Sequence, residues 1–184
     1  MKLVIGGGFG VGKTTAIGSV SDIRPLSTEE TLTEASAGSD NLDGVESKTV
    51  TTVAFDFGRV SWDDGPDPLD LYLFGTPGQP RFWSLWNDLA HGAFGAVVLT
   101  DPRKLETSFP AVDFFEQVGL PFVIAVNMFP GADRWSTDEI HEAFDVPAGV
   151  PVLTCDARNA DSVAEVLFTL VRHAMTGPYA LLDA

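Results

Sequence analysis

Cysteine and positive charge are what this chain has least of. Its 184 residues include a single cysteine, Cys155. No disulfide can form within it, and a reducing, cytoplasmic setting fits. Lysine and arginine together number 11, against 26 aspartates and glutamates, for a formal net charge of −15. That balance argues against nucleic acid as the main partner and against anionic membrane surfaces. Long apolar runs are also missing. The longest, Ala93 to Leu99, falls well short of the ~20 residues that a spanning helix needs. No leader pattern opens the chain, Lys2 stands where myristoylation needs glycine, and Leu181-Leu182-Asp183-Ala184 offers no cysteine for prenylation. The expectation is a cytoplasmic protein with no direct membrane insertion, recruited to a membrane only by a partner. The histidines, His91, His141 and His173, are far apart, which argues against a histidine metal site.

What is present reads as one globular α/β domain. Hydrophobic residues make up 45% and charged residues 20%, ordinary values for a packed core. No repeat or linker divides the chain, so residues 1–184 are taken as a single domain. The spacing predicts strands at Lys2–Gly6, Thr49–Trp62, Leu69–Gly75, Phe94–Thr100, Phe122–Asn127 and Val150–Thr154. Helices are predicted at Lys13–Val20, Pro80–His91, Thr107–Val118, Thr137–Phe144 and Asn159–Met175. Alternating strands and helices imply a three-layer sandwich. The strands Phe94–Leu99 and Phe122–Val126 are nearly all apolar, as in a parallel sheet covered on both faces. The segment Asp63-Asp64-Gly65-Pro66-Asp67-Pro68 is a turn by composition. It makes its flanking strands a hairpin, so one of six strands must run antiparallel. Residues Pro25 to Val50 are rich in Ser, Thr, Glu and Asp and have no clear period, the character of a functional or mobile loop.

The chemistry begins at Gly7-Gly8-Phe9-Gly10-Val11-Gly12-Lys13-Thr14, which fits G-x-x-x-x-G-K-[ST] at every fixed position. A buried strand, Leu3-Val4-Ile5, precedes it, and a helix opening at Thr14-Thr15-Ala16-Ile17 follows, the context the motif requires. Glycines let the backbone turn its N–H groups into one concavity, and the helix N-terminus adds positive potential. Gly8, Gly10, Val11, Gly12, Lys13, Thr14 and Thr15 are the expected phosphate contacts. Lys13 reaches the β- and γ-phosphates, and the Thr14 hydroxyl is a Mg²⁺ ligand.

Four further segments follow in order: Ser47–Gly58 (SKTVTTVAFDFG), Leu71–Phe82 (LYLFGTPGQPRF), Ala125–Gly131 (AVNMFPG) and Thr154–Arg158 (TCDAR). With the phosphate loop at 7–14, their order and spacing resemble the Ras-like small GTPases. The resemblance covers nearly the whole chain. Within that family it is similar to the bacterial MglA-like branch, and more specifically to the small GTPases of actinobacterial conservons. It implies a Ras-like P-loop G domain binding GTP or GDP with Mg²⁺, with switch I at about 25–52, switch II at about 75–86, and base-recognition loops at 127–133 and 154–158. By resemblance, Thr52 is the switch I threonine that binds Mg²⁺ and senses the γ-phosphate, with Thr51 the alternative register. The Gly78 N–H contacts the γ-phosphate, and Gln79 orients the attacking water. Lys13, Thr52 and Gln79 form the expected catalytic set.

The chain departs from the family at two places. The carboxylate that holds a Mg²⁺ water at the end of the switch II strand is replaced by Gly75. Asp56, on the neighbouring hairpin strand, is the candidate replacement acting through a water, with Asp101 the weaker one. In the base loop, Asn127-Met128-Phe129-Pro130 stands for N-K-x-D. Asn127 is kept and Met128 can pack on the base, but Pro130 has no side-chain acceptor and Asp133 is the nearest substitute. Cys155-Asp156-Ala157-Arg158 resembles C-S-A-K, where the Ala157 N–H meets the guanine carbonyl oxygen. No arginine precedes the switch I threonine, which implies slow intrinsic hydrolysis, since an arginine finger contributes on the order of 10³–10⁵ in rate. On the helix after Gln79, Phe82, Trp86 and Leu89 share one face, with Trp83 off it as a possible partner anchor. The resemblance implies a roadblock-type partner and a sensor-kinase-like protein. Two other readings stay open: a nucleotide-locked scaffold without turnover, and a P-loop ATPase with relaxed base specificity.

Overall fold

The computed structural model describes residues 1–27, 55–62, 68–78 and 84–176. The strands are β1 (Lys2–Gly6), β2 (Leu26–Ser27), β3 (Asp56–Trp62), β4 (Leu69–Gly75), β5 (Gly95–Thr100), β6 (Phe122–Asn127) and β7 (Val152–Cys155). The helices are α1 (Lys13–Val20), α2 (Ser84–Ala90), α3 (Phe109–Gln117), α4 (Thr137–Phe144) and α5 (Ala160–Thr176). The strands form one sheet in the order β2-β3-β4-β1-β5-β6-β7. β3 runs antiparallel to both of its neighbours, and the other pairings are parallel. The expected six strands and one reversed strand are therefore present. The seventh is a two-residue addition, Leu26↔Phe57 and Ser27↔Asp56, too short to carry a periodic signal in the sequence.

Strand alternation divides the core into two halves. Leu3 and Ile5 of β1 face one side, with Val97, Leu99, Val123 and Ala125, and pack under Ala16 and Ile17 of α1 and Val163, Leu167 and Leu170 of α5. Val4 faces the other side, with Ala96, Val98, Ile124 and Val126, under Trp86, Ala111, Val112, Phe115 and Ile140. This explains why β5 and β6 are apolar throughout: every residue of both is buried. Trp86 lies in the core as its helical position requires, donating its indole N–H to the Pro77 carbonyl at 3.1 Å. Phe82 and Trp83 lie outside the described residues.

Helix boundaries differ from expectation at one informative place. Thr107–Val118 reads as one helix, but Leu105–Ser108 is a 3-10 turn and α3 begins only at Phe109. Pro110 near the start of α3 favours that beginning. β1, β5, β6 and β7 run parallel, so their C-terminal ends, together with that of β4, open on one edge of the sheet. Ligands of open α/β sheets bind at this edge.

Candidate functional site

The loop joining β1 to α1 is shaped by three glycines with positive φ: Gly7 at 128°, Gly10 at 73° and Gly12 at 104°. At Gly12 the left-handed backbone and lack of space both demand glycine, because a Cβ would stand 2.6 Å from the Asn127 amide nitrogen. Gly12 is also the N-cap of α1, and no side chain caps that helix. At α4, by contrast, Ser136 and Glu139 close the first turn in a reciprocal capping box. The α1 terminus thus keeps N–H groups available for an anion.

Lys13 is buried, and its ammonium donates to the carbonyls of Gly7 at 3.0 Å and Gly8 at 2.7 Å. Burial pushes it down to about 8, the Asp56 carboxylate opposes that shift, and the nearby Lys104 ammonium adds to it. Gly78, three residues past the end of β4, presses against the same loop. A Cβ there would be 2.9 Å from both the Lys13 Nζ and the Phe9 Cα. Val11 is buried in the core, while Thr14 and Thr15 are exposed at the head of α1.

Thr14 Oγ1 donates to Asp56 Oδ2 at 2.6 Å. Asp56 is the register partner of Gly75 across the β3–β4 pair. A Cβ on Gly75 would lie 3.2 Å from the Asp56 Cβ and 3.3 Å from Oδ2, so the missing side chain leaves the space that this carboxylate fills. Thr76 Oγ1, one residue after Gly75, is buried and has no hydrogen-bond partner among the described residues. The Thr14 hydroxyl and the Asp56 carboxylate, hydrogen-bonded to each other, are hard oxygen donors of the kind Mg²⁺ takes, so this pair fits that ion. The alternative, Asp101, is committed elsewhere. Its carboxylate is fully buried and accepts from the Nε and Nη2 of Arg103, at 2.9 Å and 2.6 Å, which holds it below the usual carboxylate range. Among the described residues no three His, Cys, Asp or Glu side chains cluster as a metal site.

At the end expected to meet the base, Asn127 ties two loops together. Its amide nitrogen donates to the Val11 carbonyl at 3.0 Å, and its amide oxygen accepts the Ala157 N–H at 3.0 Å. The Ala157 N–H, expected to meet a guanine oxygen, is therefore directed at Asn127 in this structure. Met128 packs against the α3–α4 side of the core, and its N–H donates to the Cys155 carbonyl at 2.7 Å. Cys155 is buried, and burial pushes its thiol up to about 11, which suits packing rather than nucleophilic chemistry. The Asp156 carboxylate is held by Arg158, bidentate at 2.9 Å in both contacts, and falls to about 2. Asp133 is exposed and makes no hydrogen bond or ion pair among the described residues. Thr52 and Gln79 lie outside the described residues, as do Thr51 and most of switch I.

Sequence reasoning missed the segment after β5. Ser108 Oγ accepts the Gly8 N–H at 3.3 Å, and the Lys104 ammonium donates to the Phe9 carbonyl at 2.9 Å. Arg103 lies over the Phe129 ring at 4.2 Å. The one available signal was the loss of helical period between Asp101 and Ser108.

A glycine-rich loop from β1 into an uncapped helix, with its lysine buried at the parallel edge of the sheet, defines a P-loop nucleotide-binding protein of the G-domain type. Residues 5–177 match the model of a family described as "Conserved hypothetical ATP binding protein", and the chain belongs to that family. It is also similar to Ras-related proteins. It shares 26% identity with Sec4 of Saccharomyces cerevisiae over 129 residues, covering 67% of this chain and 60% of Sec4. With human Rab-7b it shares 24% over 193 aligned positions, covering 100% of this chain and 86% of Rab-7b. Two solved folds superpose with a TM-score of 0.66: a GDP-bound S. thermophilus NFeoB mutant, at 18% identity, and the T. maritima FeoB cytosolic domain in a GDP form, at 15%. They cover 97% and 96% of this chain, which spans 64% of each of theirs. Among the described residues no helix is long and apolar enough to cross a membrane.

Proposed function

We propose that this chain is a regulatory guanine-nucleotide switch that binds GTP and GDP with Mg²⁺ and hydrolyses GTP slowly. The observation that carries this reading is the Thr14–Asp56 pair beside the phosphate loop. The threonine hydroxyl gives its proton to a carboxylate, so its lone pairs remain for a cation. That carboxylate arrives from β3, across from Gly75, and supplies what the family's missing side chain would have supplied. Mg²⁺ bound with the nucleotide would neutralise charge between the phosphates. The chain's own part is to seat the phosphates on the loop N–H groups and Lys13, with Gly78 closing on their far end.

The likeness to Sec4 and Rab-7b, and the GDP in the FeoB structures, support guanine over adenine. Thr52 and Gln79 are assigned to γ-phosphate sensing and to water orientation by the motif resemblance. The same resemblance supports the MglA-like, conservon-type branch, a roadblock-type partner, a sensor-kinase-like protein, and a cytoplasmic location with partner-borne recruitment to a membrane.

A second reading, an adenine-nucleotide enzyme, draws on the family's description, on Pro130 in place of the base-reading aspartate, and on an Ala157 N–H already directed at Asn127. Identifying the nucleotide released on denaturation, then titrating GDP and ADP with Mg²⁺, separates the two. Strong guanine preference supports the switch, and equal or adenine-only binding sinks it. Gln79→Leu then separates a switch from a nucleotide-locked scaffold. A switch loses hydrolysis and keeps binding, whereas a scaffold has no hydrolysis to lose.

A further inference from the structure

We propose that Lys104 is a second phosphate-binding lysine, gripping the terminal phosphate of a nucleoside triphosphate from the outer side of the loop that Lys13 holds from within. The inference rests on the nucleotide reading above. Lys104 follows β5, remote in sequence from the phosphate loop, yet its ammonium lies on that loop, 2.9 Å from the Phe9 carbonyl and 3.6 Å from where a Cβ on Gly10 would stand. Its backbone is fixed on both sides: its N–H donates to the Asp101 carbonyl at 3.0 Å, and its own carbonyl accepts from Thr107 Oγ1 at 2.9 Å. The reach is therefore set by the turn. Phe9 is also the residue against which Gly78 presses, so Lys104 stands at the switch II end of the loop, where a third phosphate would lie.

The electrostatics are informative in a chain so poor in cations. Only 11 lysines and arginines serve all 184 residues. Arg103, the neighbour of Lys104, neutralises the nearest carboxylate, Asp101. Lys104 forms no ion pair among the described residues, although 26 acidic residues are available to the chain. Instead it is held near enough to Lys13 for its charge to be felt there. Two ammoniums on one short loop repel, and a polyanion between them reverses that cost.

The test measures Lys104→Met, Lys104→Gln and Lys104→Arg against wild type by calorimetric titration with β,γ-imido-GTP, GDP and GMP, and with the adenine counterparts. Lys104→Gln keeps a donor for the Phe9 carbonyl and removes only the charge. Melting curves without nucleotide report the fold. The expected result is a loss of about 10- to 100-fold in triphosphate affinity for Met and Gln. The loss should be smaller for diphosphate, near zero for monophosphate, and largely restored by Arg. No loss, or equal loss across all three nucleotides, overturns the proposal and leaves Lys104 a brace of the loop. Wild-type protein that binds none of the nucleotides overturns the nucleotide reading itself.

Discussion

The two ends of the candidate site are built on different logic. At the phosphate end, three separate elements converge on one loop: Lys13 from α1, Gly78 from the end of β4, and Lys104 with Ser108 from the turn after β5. At the other end, where the resemblance puts the base, polar groups face each other: Asn127 with Ala157, and Asp156 with Arg158. Phosphate recognition uses backbone N–H groups and a few cations, a chemistry indifferent to the base. Base recognition needs one acceptor at one place, and the family resemblance puts Pro130 there. One end can thus be fixed by a short motif while the other drifts.

The sharpest way to break that contrast is Lys13→Ala. Affinity should fall by about 10²–10³-fold, and by the same factor for GDP and ADP, as read by titration calorimetry. A loss confined to one base would contradict the division. Asn127→Ala strikes the joint between the two ends, leaving the Val11 carbonyl and the Ala157 N–H without their partner. Stability should drop by about 2–4 kcal/mol in denaturant unfolding, with nucleotide affinity falling for every phosphate length. Asp56→Asn should lower Mg²⁺ affinity in the nucleotide complex by about 10- to 100-fold, while Mg²⁺-free nucleotide binding stays near wild type. Pro130→Asp restores an acceptor on an exposed loop. The ratio of ADP to GDP dissociation constants should rise about tenfold or more, and an unchanged ratio would argue that the base does not lie against this loop.

The same contrast explains what could be read from the sequence. β1, β4, β6, α1 and α4 lie where spacing predicts them, because each is an apolar run or stripe with a local stop signal. Asp56 was legible because a hairpin turn sets β3 against β4 and makes it the neighbour of Gly75. Lys104 was not legible. Its partner, the Phe9 carbonyl, is backbone and 95 positions away, and no side-chain pattern records such a contact. The 3-10 turn before α3 hid behind residues that also suit a helix. The orientation of the Ala157 N–H depends on the rotamer of one amide, which a loop motif does not encode.

The Asn127 bridge has a consequence for how the protein comes to be. In chain order the phosphate loop comes before the residues that fasten it. Among the described residues its parent strand, β1, pairs with β4 and β5, and the amide that fastens Val11 belongs to a residue 116 positions later. The second contact of that amide waits a further 30 positions, for Ala157. Such distant closures are late and entropically costly events in folding. The loop therefore reaches its tethered form only when the chain as far as Ala157 has folded around it. The fastening of the loop and the completion of the sheet arrive together.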